Sequence, residues 1–216
     1  MSWSWLIAPG SALYLLPLVV LAGCVAIARS QLARRPVFVW WGAIAGACVL
    51  TAASKISFYG WGTGIRAWNL TCFSGHTVMA FSVWPVIGML VPRPSRLGWR
   101  LTGLVAGLVV AGLIAYSRMS LGAHPPSEVI AGTMLGVPVG AVGAWVLRRV
   151  SLPWVFTPTV GLALAAFVAF SPGLGQVLPS EQLFARIGMA LSGREEPVNR
   201  KKWNSAIIVT NSHDLH

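Results

Sequence analysis

The sequence predicts an all-α fold, a polytopic membrane helix bundle with about six transmembrane helices. Three observations carry that expectation. Hydrophobic residues make up 56% of the 216-residue chain and charged residues only 10%; a soluble domain carries roughly 25% charged residues, so too few are present to coat a water-facing surface. The apolar residues form solid runs, not the alternating pattern of barrel strands. The acids are scarce and displaced toward the C-terminus: Glu181, Glu195, Glu196 and Asp214 lie beyond residue 180, and Glu128 is the single acid before it. This distribution excludes a salt-bridged soluble enzyme, an EF-hand and any carboxylate-rich metal site.

A helix needs roughly 20 apolar residues to cross the hydrocarbon. Such runs cover residues 5–28, 37–54, 77–92, 101–116, 128–147 and 154–171; the third and fourth are short, and 73–76 can extend the third. Residues 1–178 then form one six-helix domain and 179–216 an extramembrane tail. The first run contains Leu21-Ala22-Gly23-Cys24, the spelling of a lipoprotein cleavage box. No Lys or Arg precedes it, as a signal peptide would require, so the run is read as a retained span. Gly103 and Gly107 in the fourth span, and Gly132, Gly136 and Gly140 in the fifth, carry the small-xxx-small spacing that lets helix backbones approach. Pro138 is expected to kink the fifth span. In the tail, Pro179-Ser180 is a start signal, and Leu183, Phe184, Ile187 and Leu191 recur at helical spacing. That segment is expected to lie along the membrane interface, and the last twenty residues show no readable role. Cys24, Cys48 and Cys72 have neither pairing nor metal-ligand spacing.

The net charge is +11, but the basic residues sit singly or in pairs between apolar runs, a pattern that reports orientation and not a nucleic-acid partner. One set of loops carries Arg29, Arg34, Arg35, Arg93, Arg96, Arg100, Arg148 and Arg149; the alternate loops carry Lys55, Arg66 and Arg118. The richer set belongs in the cytoplasm. The expected location is therefore the inner membrane, with the sparse side, the N-terminus and the tail facing the periplasm. The tail adds Arg186, Arg194, Arg200, Lys201 and Lys202, which weakens the asymmetry.

On the sparse side the topology gathers the two histidines that precede the tail. Phe73-Ser74-Gly75-His76 stands just before one span, and Ser117-Arg118-x5-His124-x3-Glu128 opens another. Ser74-Gly75 at a helix N-terminus offers exposed N–H groups, a hydroxyl and the positive dipole end to an anion. Arg118 can clamp a phosphate through paired donors. His124 and Glu128, four apart, share a face if they lie on one helix, and Pro125 and Pro126 suit its first turn. Glu128 can then hold the imidazole by one nitrogen and leave the other for the substrate. A histidine so held is a nucleophile toward phosphorus, with His76 left to protonate the leaving oxygen. Taken singly, each feature has a plainer reading: a surface His, a snorkelling Arg, a Ser-Gly cap, a dipole-paired Glu. Their coincidence in a nearly acid-free chain favours a site.

These residues resemble the motifs of the type-2 phosphatidic acid phosphatase superfamily, which also includes vanadium haloperoxidases and soluble bacterial acid phosphatases. Its third motif is Ser-Arg-x5-His-x3-Asp and its second Pro-Ser-Gly-His; the resemblance covers about 80 residues, from Lys55 to Gly136. It implies a six-span lipid phosphatase in which His124 forms a phosphohistidine, Glu128 orients it and His76 is the general acid. Ser74, Gly75 and Arg118 would bind phosphate, and no cofactor or metal is implied. Three departures stand out. Phe73 replaces Pro and Glu128 replaces Asp. The first motif, Lys-x6-Arg-Pro, is not met, since Lys55 is followed seven later by Gly62 and the next basic residue is Arg66. Gly60, Gly62 and Gly64 argue against a continuous helix there, and Lys55 and Arg66 are assigned to phosphate binding if the chain folds Arg66 back. Tyr59, Trp61, Trp68 and Phe73 would sit at headgroup level. The expected partners are the bilayer and a lipid phosphate: a polyprenyl diphosphate, phosphatidic acid, phosphatidylglycerol phosphate or a lipid A phosphate. A lipid-to-lipid phosphotransferase using the same site, or a non-catalytic lipid-binding or transport scaffold, are the alternatives.

Overall fold

The computed structural model describes residues 7–90, 97–150, 180–200 and 203. Its helices are α1 (Ile7–Gly10), α2 (Ala12–Arg29), α3 (Arg34–Trp61), α4 (Gly75–Leu90), α5 (Leu97–Ser120), α6 (Pro126–Leu147) and, in the tail, α7 (Ser180–Ser192). Among the described residues the only strand-like feature is one bridge between Ile65 and Leu70. Three helical stretches are long and apolar enough to cross a membrane: Gln31–Trp61, Gly98–Ser120 and Pro126–Leu147. Ala12–Ala28 and Gly75–Leu90 are shorter apolar helices. The expected sixth span, 154–171, lies outside the described residues. So do residues 5–6 and 91–92 of the first and third runs, the boundary at 178/179, and Arg93, Arg96, Lys201, Lys202 and 204–216.

The second helix is much longer than its apolar run. At 1.5 Å per residue, the 28 residues of α3 span about 42 Å, more than the roughly 30 Å of hydrocarbon. Gly60 stays inside the helix, against the expectation of a glycine-broken segment. Helix α3 ends only at Gly62, whose φ of 70° provides the left-handed cap.

Helix α4 is the central post, and the glycine spacings read from the sequence bring its neighbours in. A Cβ on Gly88 would stand 2.1 Å from the Gly103 carbonyl, and one on Gly107 2.2 Å from that of Trp84. On the other flank, Cβ atoms on Gly132, Gly136 and Gly140 would meet the carbonyls of Ser74 at 3.0 Å, Val78 at 2.7 Å and Phe81 at 2.3 Å. Both α5 and α6 thus lie backbone to backbone on α4, which only glycine permits. Pro138 falls within α6, an element with no break in its assignment. The core between the helices holds Leu15, Leu18, Val37, Trp40, Met79, Val83 and Val86, and the Trp40 indole donates to the Ser82 carbonyl at 3.2 Å.

The tail helix docks on protein. A Cβ on Gly60 would lie 2.7 Å from the Gly188 carbonyl, and one on Gly188 2.8 Å from that of Ile56, so α7 crosses the end of α3 at a glycine–glycine contact. Leu183 and Leu191 stay exposed, while Gly188 is buried. The interfacial helix expected from its periodicity therefore spends part of that apolar face on α3.

Candidate active site

Four helix ends meet at one end of the bundle: the C-termini of α3 and α5 and the N-termini of α4 and α6. Helix α5 closes with Gly122 at φ 65°. The Gly122 N–H donates to the Met119 carbonyl at 2.9 Å, and the N–H groups of Ala123 and His124 donate to that of Arg118 at 3.0 and 3.3 Å. This left-handed turn folds His124 back beside Arg118. Pro125 is the cap of α6 and Pro126 its first residue, so His124 precedes the helix, whereas the spacing alone had suggested a shared one.

Glu128 is fully buried. Its Oε2 stands 2.6 Å from His124 Nδ1, and a carboxylate only accepts, so Nδ1 carries a proton and, in the neutral imidazole, the lone pair is on Nε2. Its Oε1 accepts the N–H of Thr71 at 3.1 Å and of Cys72 at 3.3 Å, the Thr71 hydroxyl and the guanidinium of Arg200. A buried carboxylate is tolerated only when so compensated. The same bonds pin the loop after α3, which the Ser54 hydroxyl (accepting from the Phe73 N–H at 3.2 Å) and the Ser127 hydroxyl (donating to the Asn69 carbonyl at 3.2 Å) also hold. Cys72 is a protonated thiol here: burial and the charge of Glu128 push it up to about 11, Lys55 and a Thr71 hydrogen bond only partly offsetting them.

The Ser74-Gly75 turn differs from its expected form. Ser74 is fully buried, its N–H donates to the Glu128 carbonyl at 3.3 Å, and its hydroxyl accepts from Thr77 at 3.0 Å. The Ser74 N–H is therefore not an exposed donor; it ties α4 to α6. His76, in the first turn of α4, lies within electrostatic reach of Arg118, His124 and Lys55. Gly10 of α1 leaves room for its ring, and its Nε2 is buried without a hydrogen-bond partner among the described residues. Arg118 Nε and Nη1 are buried and unpartnered in the same way.

Lys55 is buried in an ion pair with Glu181 of α7, whose second oxygen accepts the Tyr59 hydroxyl at 2.7 Å. Arg66 does not reach this group: it is exposed, in the 3-10 turn Arg66–Trp68, with its guanidinium 5.4 Å from the Trp203 ring. A cavity of about 630 Å³ opens over the site, lined by Arg118, His124, Thr71 and Cys72 from the bundle and Glu181, Asn199 and Arg200 from the tail. Of the expected site residues Arg118 and His124 are in that lining, whereas Arg66, Lys55, Ser74, Gly75, His76 and Glu128 are not. In the sequence Glu181 and Arg200 are only tail charges; their partners, Lys55 at a separation of 126 positions and Glu128 at 72, leave no local signal.

Three carboxylates, Glu128, Glu181 and Glu196, thus stand with three permanent cations, Lys55, Arg118 and Arg200, beside two imidazoles. The Arg118 guanidinium keeps unsatisfied N–H donors, which suits an anion. A family model of the PAP2 superfamily matches residues 57–152. The chain is also 34% identical over 159 residues to an uncharacterized 22.5 kDa protein in the cps region of Klebsiella pneumoniae, a match covering 73% of this chain and 75% of that relative. The chain belongs to the PAP2 superfamily. The matched stretch contains the Ser74-Gly75-His76 and Ser117-to-Glu128 motifs but begins two residues after Lys55. PAP2 proteins are generally phosphatases, and the apolar helices make this one a membrane protein. No solved structure matches the chain.

Proposed function

We propose that this PAP2 protein is an integral membrane lipid phosphatase of the inner membrane, acting on a lipid phosphomonoester or diphosphate from the periplasmic side. The observation that carries this reading is the set of buried nitrogens without partners among the described residues, His76 Nε2 and the Arg118 donors Nε and Nη1, around a histidine whose Nδ1 is already engaged. Buried N–H groups without partners are costly, and a tetrahedral phosphate presents the oxygens they lack. His124 Nε2 attacks phosphorus as the bond to the lipid oxygen breaks, and His76 gives that oxygen a proton. The anionic substrate itself favours the protonated form of His76. Water then attacks the phosphohistidine, His76 accepting its proton, and inorganic phosphate leaves. Glu128 holds the imidazole and stabilises its positive form through both steps, as orienting acids do. Trp61 and Trp68, both exposed at this end, suit the headgroup layer.

The test is phosphate release by the purified protein from polyprenyl diphosphate, phosphatidic acid, phosphatidylglycerol phosphate and lipid A phosphate. Turnover of at least one, an acid-labile phosphoenzyme, and a loss of at least about 10³-fold in His124→Ala are expected. Undiminished turnover in folded His124→Ala would sink the mechanism.

A further inference from the structure

The cavity has one wall that the helical bundle does not supply. The tail returns over the end of α3 and is fastened there at several points. The Val198 N–H donates to the Tyr59 carbonyl at 2.9 Å, and the Trp203 indole donates to the Gly62 carbonyl at 2.8 Å. The Trp203 ring is buried edge-on against Phe58 at 5.8 Å. Between these anchors, Arg200 reaches Glu128 Oε1 and lies 2.8 Å from the Thr71 hydroxyl.

We propose that Arg200 is a positioning residue of the catalytic centre: by gripping one oxygen of Glu128 it aims the other at His124, so that the tail completes the site. This rests on the phosphatase reading above. The physical argument starts from the carboxylate. Glu128 is fully buried, and when His124 is neutral, Arg200 is the full positive charge in contact with it. Removing that charge leaves the carboxylate to take a proton or to draw one onto His124. Either outcome spoils a nucleophile that must be neutral, with its proton on Nδ1. Occupation of Oε1 by Arg200, Thr71 and the Cys72 N–H also fixes the carboxylate plane, as second-sphere partners of catalytic histidines do, with effects on the order of 10–100-fold. The other charged groups around His124 are Arg118 on α5, His76 on α4, Glu181 on α7, Glu196 in the tail and, paired with Glu181, Lys55 on α3; among the described residues Glu128 forms its ion pairs with His124 and Arg200.

The experiment uses the full chain in lipid nanodiscs. Arg200→Ala should lower kcat by about 10–100-fold with KM within about twofold, and Arg200→Lys should recover part of that loss, as should millimolar guanidinium added to Arg200→Ala. Loss of a nearby cation makes His124 easier to protonate, so the acidic limb of the rate profile should move to higher pH in Arg200→Ala. A second readout needs no turnover: the pH profile of His124 carbethoxylation by diethyl pyrocarbonate, followed on its own peptide by mass spectrometry, should shift the same way. An unmoved carbethoxylation profile in Arg200→Ala overturns the inference, including when thermal unfolding shows only lost stability. A rise in KM alone also overturns it and makes Arg200 a direct phosphate ligand. If the parent releases no phosphate while the carbethoxylation profile shifts, the phosphatase reading fails and the positioning role stands.

Discussion

Arg100 and Arg118 sit at opposite ends of the same helix and solve opposite problems. Arg100 is buried and donates to the carbonyls of Leu147 at 3.1 Å and Val150 at 2.9 Å, closing the C-terminal end of α6, whose last carbonyls have no helical partners. Nearby, Arg35, Arg148 and Arg149 are exposed around a shallow cavity, and Arg148 rests 4.9 Å from the Trp145 ring. At the other end Arg118 is half-buried, and two of its nitrogens have no partner among the described residues. The first arrangement is complete in itself. The second is complete only with an anion present. A satisfied buried arginine reports architecture; an unsatisfied one beside a prepared histidine reports a ligand.

The sharpest way to break this comparison is one conservative change made at both ends. Arg118→Lys keeps the charge but loses the planar fork, so turnover should fall by about 10²-fold or more while thermal unfolding barely moves. Arg100→Lys leaves one flexible ammonium to serve two carbonyls, so stability should fall by about 1–2 kcal/mol with turnover per folded molecule unchanged. Equal losses of turnover in the two variants would erase the distinction between a ligand site and a helix cap.

A smaller effect is expected between two glycines of that helix. A Cβ on Gly107 would stand 2.2 Å from the Trp84 carbonyl, whereas one on Gly112 meets nothing within 4 Å. Gly107→Ala must push α5 off α4 and should cost about 1–3 kcal/mol, seen as a lowered unfolding midpoint in detergent. Gly112→Ala should stabilise by about 0.5–1 kcal/mol, because alanine is the better helix former. A shared response would mean that the close helix contact is not what these spacings encode.

What was legible in the sequence was whatever repeats locally. The glycine ladder of α6, the His124–Glu128 spacing and the apolar runs each show in a window of a few residues, and the helices and the Nδ1 contact follow from them. The extent of α3 was hidden because Lys55 and the glycines after it look like a span's end; Lys55 and Gly60 lie instead inside a helix that ends only at Gly62. The exposed-donor role expected of Ser74 failed because its N–H meets the Glu128 carbonyl, a partner 54 positions away. Arg66, the next basic residue after Lys55, was drawn to Trp203. The cavity's other charges, Glu181, Glu196 and Arg200, come from a tail whose helix docks at a glycine contact between distant helices, and no periodicity announces such a pairing.

The least of these effects concerns the Lys55–Glu181 latch, the tail's second ionic tie to the bundle. Burial raises the Glu181 carboxyl, but the charge of Lys55 and hydrogen bonds from Lys55 and Tyr59 outweigh it, leaving it below its ordinary 4.5. A carboxylate depressed on docking stabilises the docked form at all pH above its free value, and that contribution disappears as pH falls through the lower, docked value. The latch should therefore hold unchanged from pH 8 to pH 5 and loosen only in stronger acid. Its size is small, because the Glu181 side chain is 52% exposed and water screens such pairs to about 1 kcal/mol or less. Spin labels at Leu191 and Trp61, both exposed, can report the distance across the docked tail. That distance should stay fixed down to pH 5 and broaden only in stronger acid, while Glu181→Gln should show modest broadening at every pH, since Gly188 against Gly60 still holds the helix. Release of the tail between pH 8 and pH 6 would assign the docking to some other titrating group. No pH effect on the distance at all, with Glu181→Gln matching the parent, would leave the attachment to the glycine contact and the bonds made by Val198, Arg200 and Trp203.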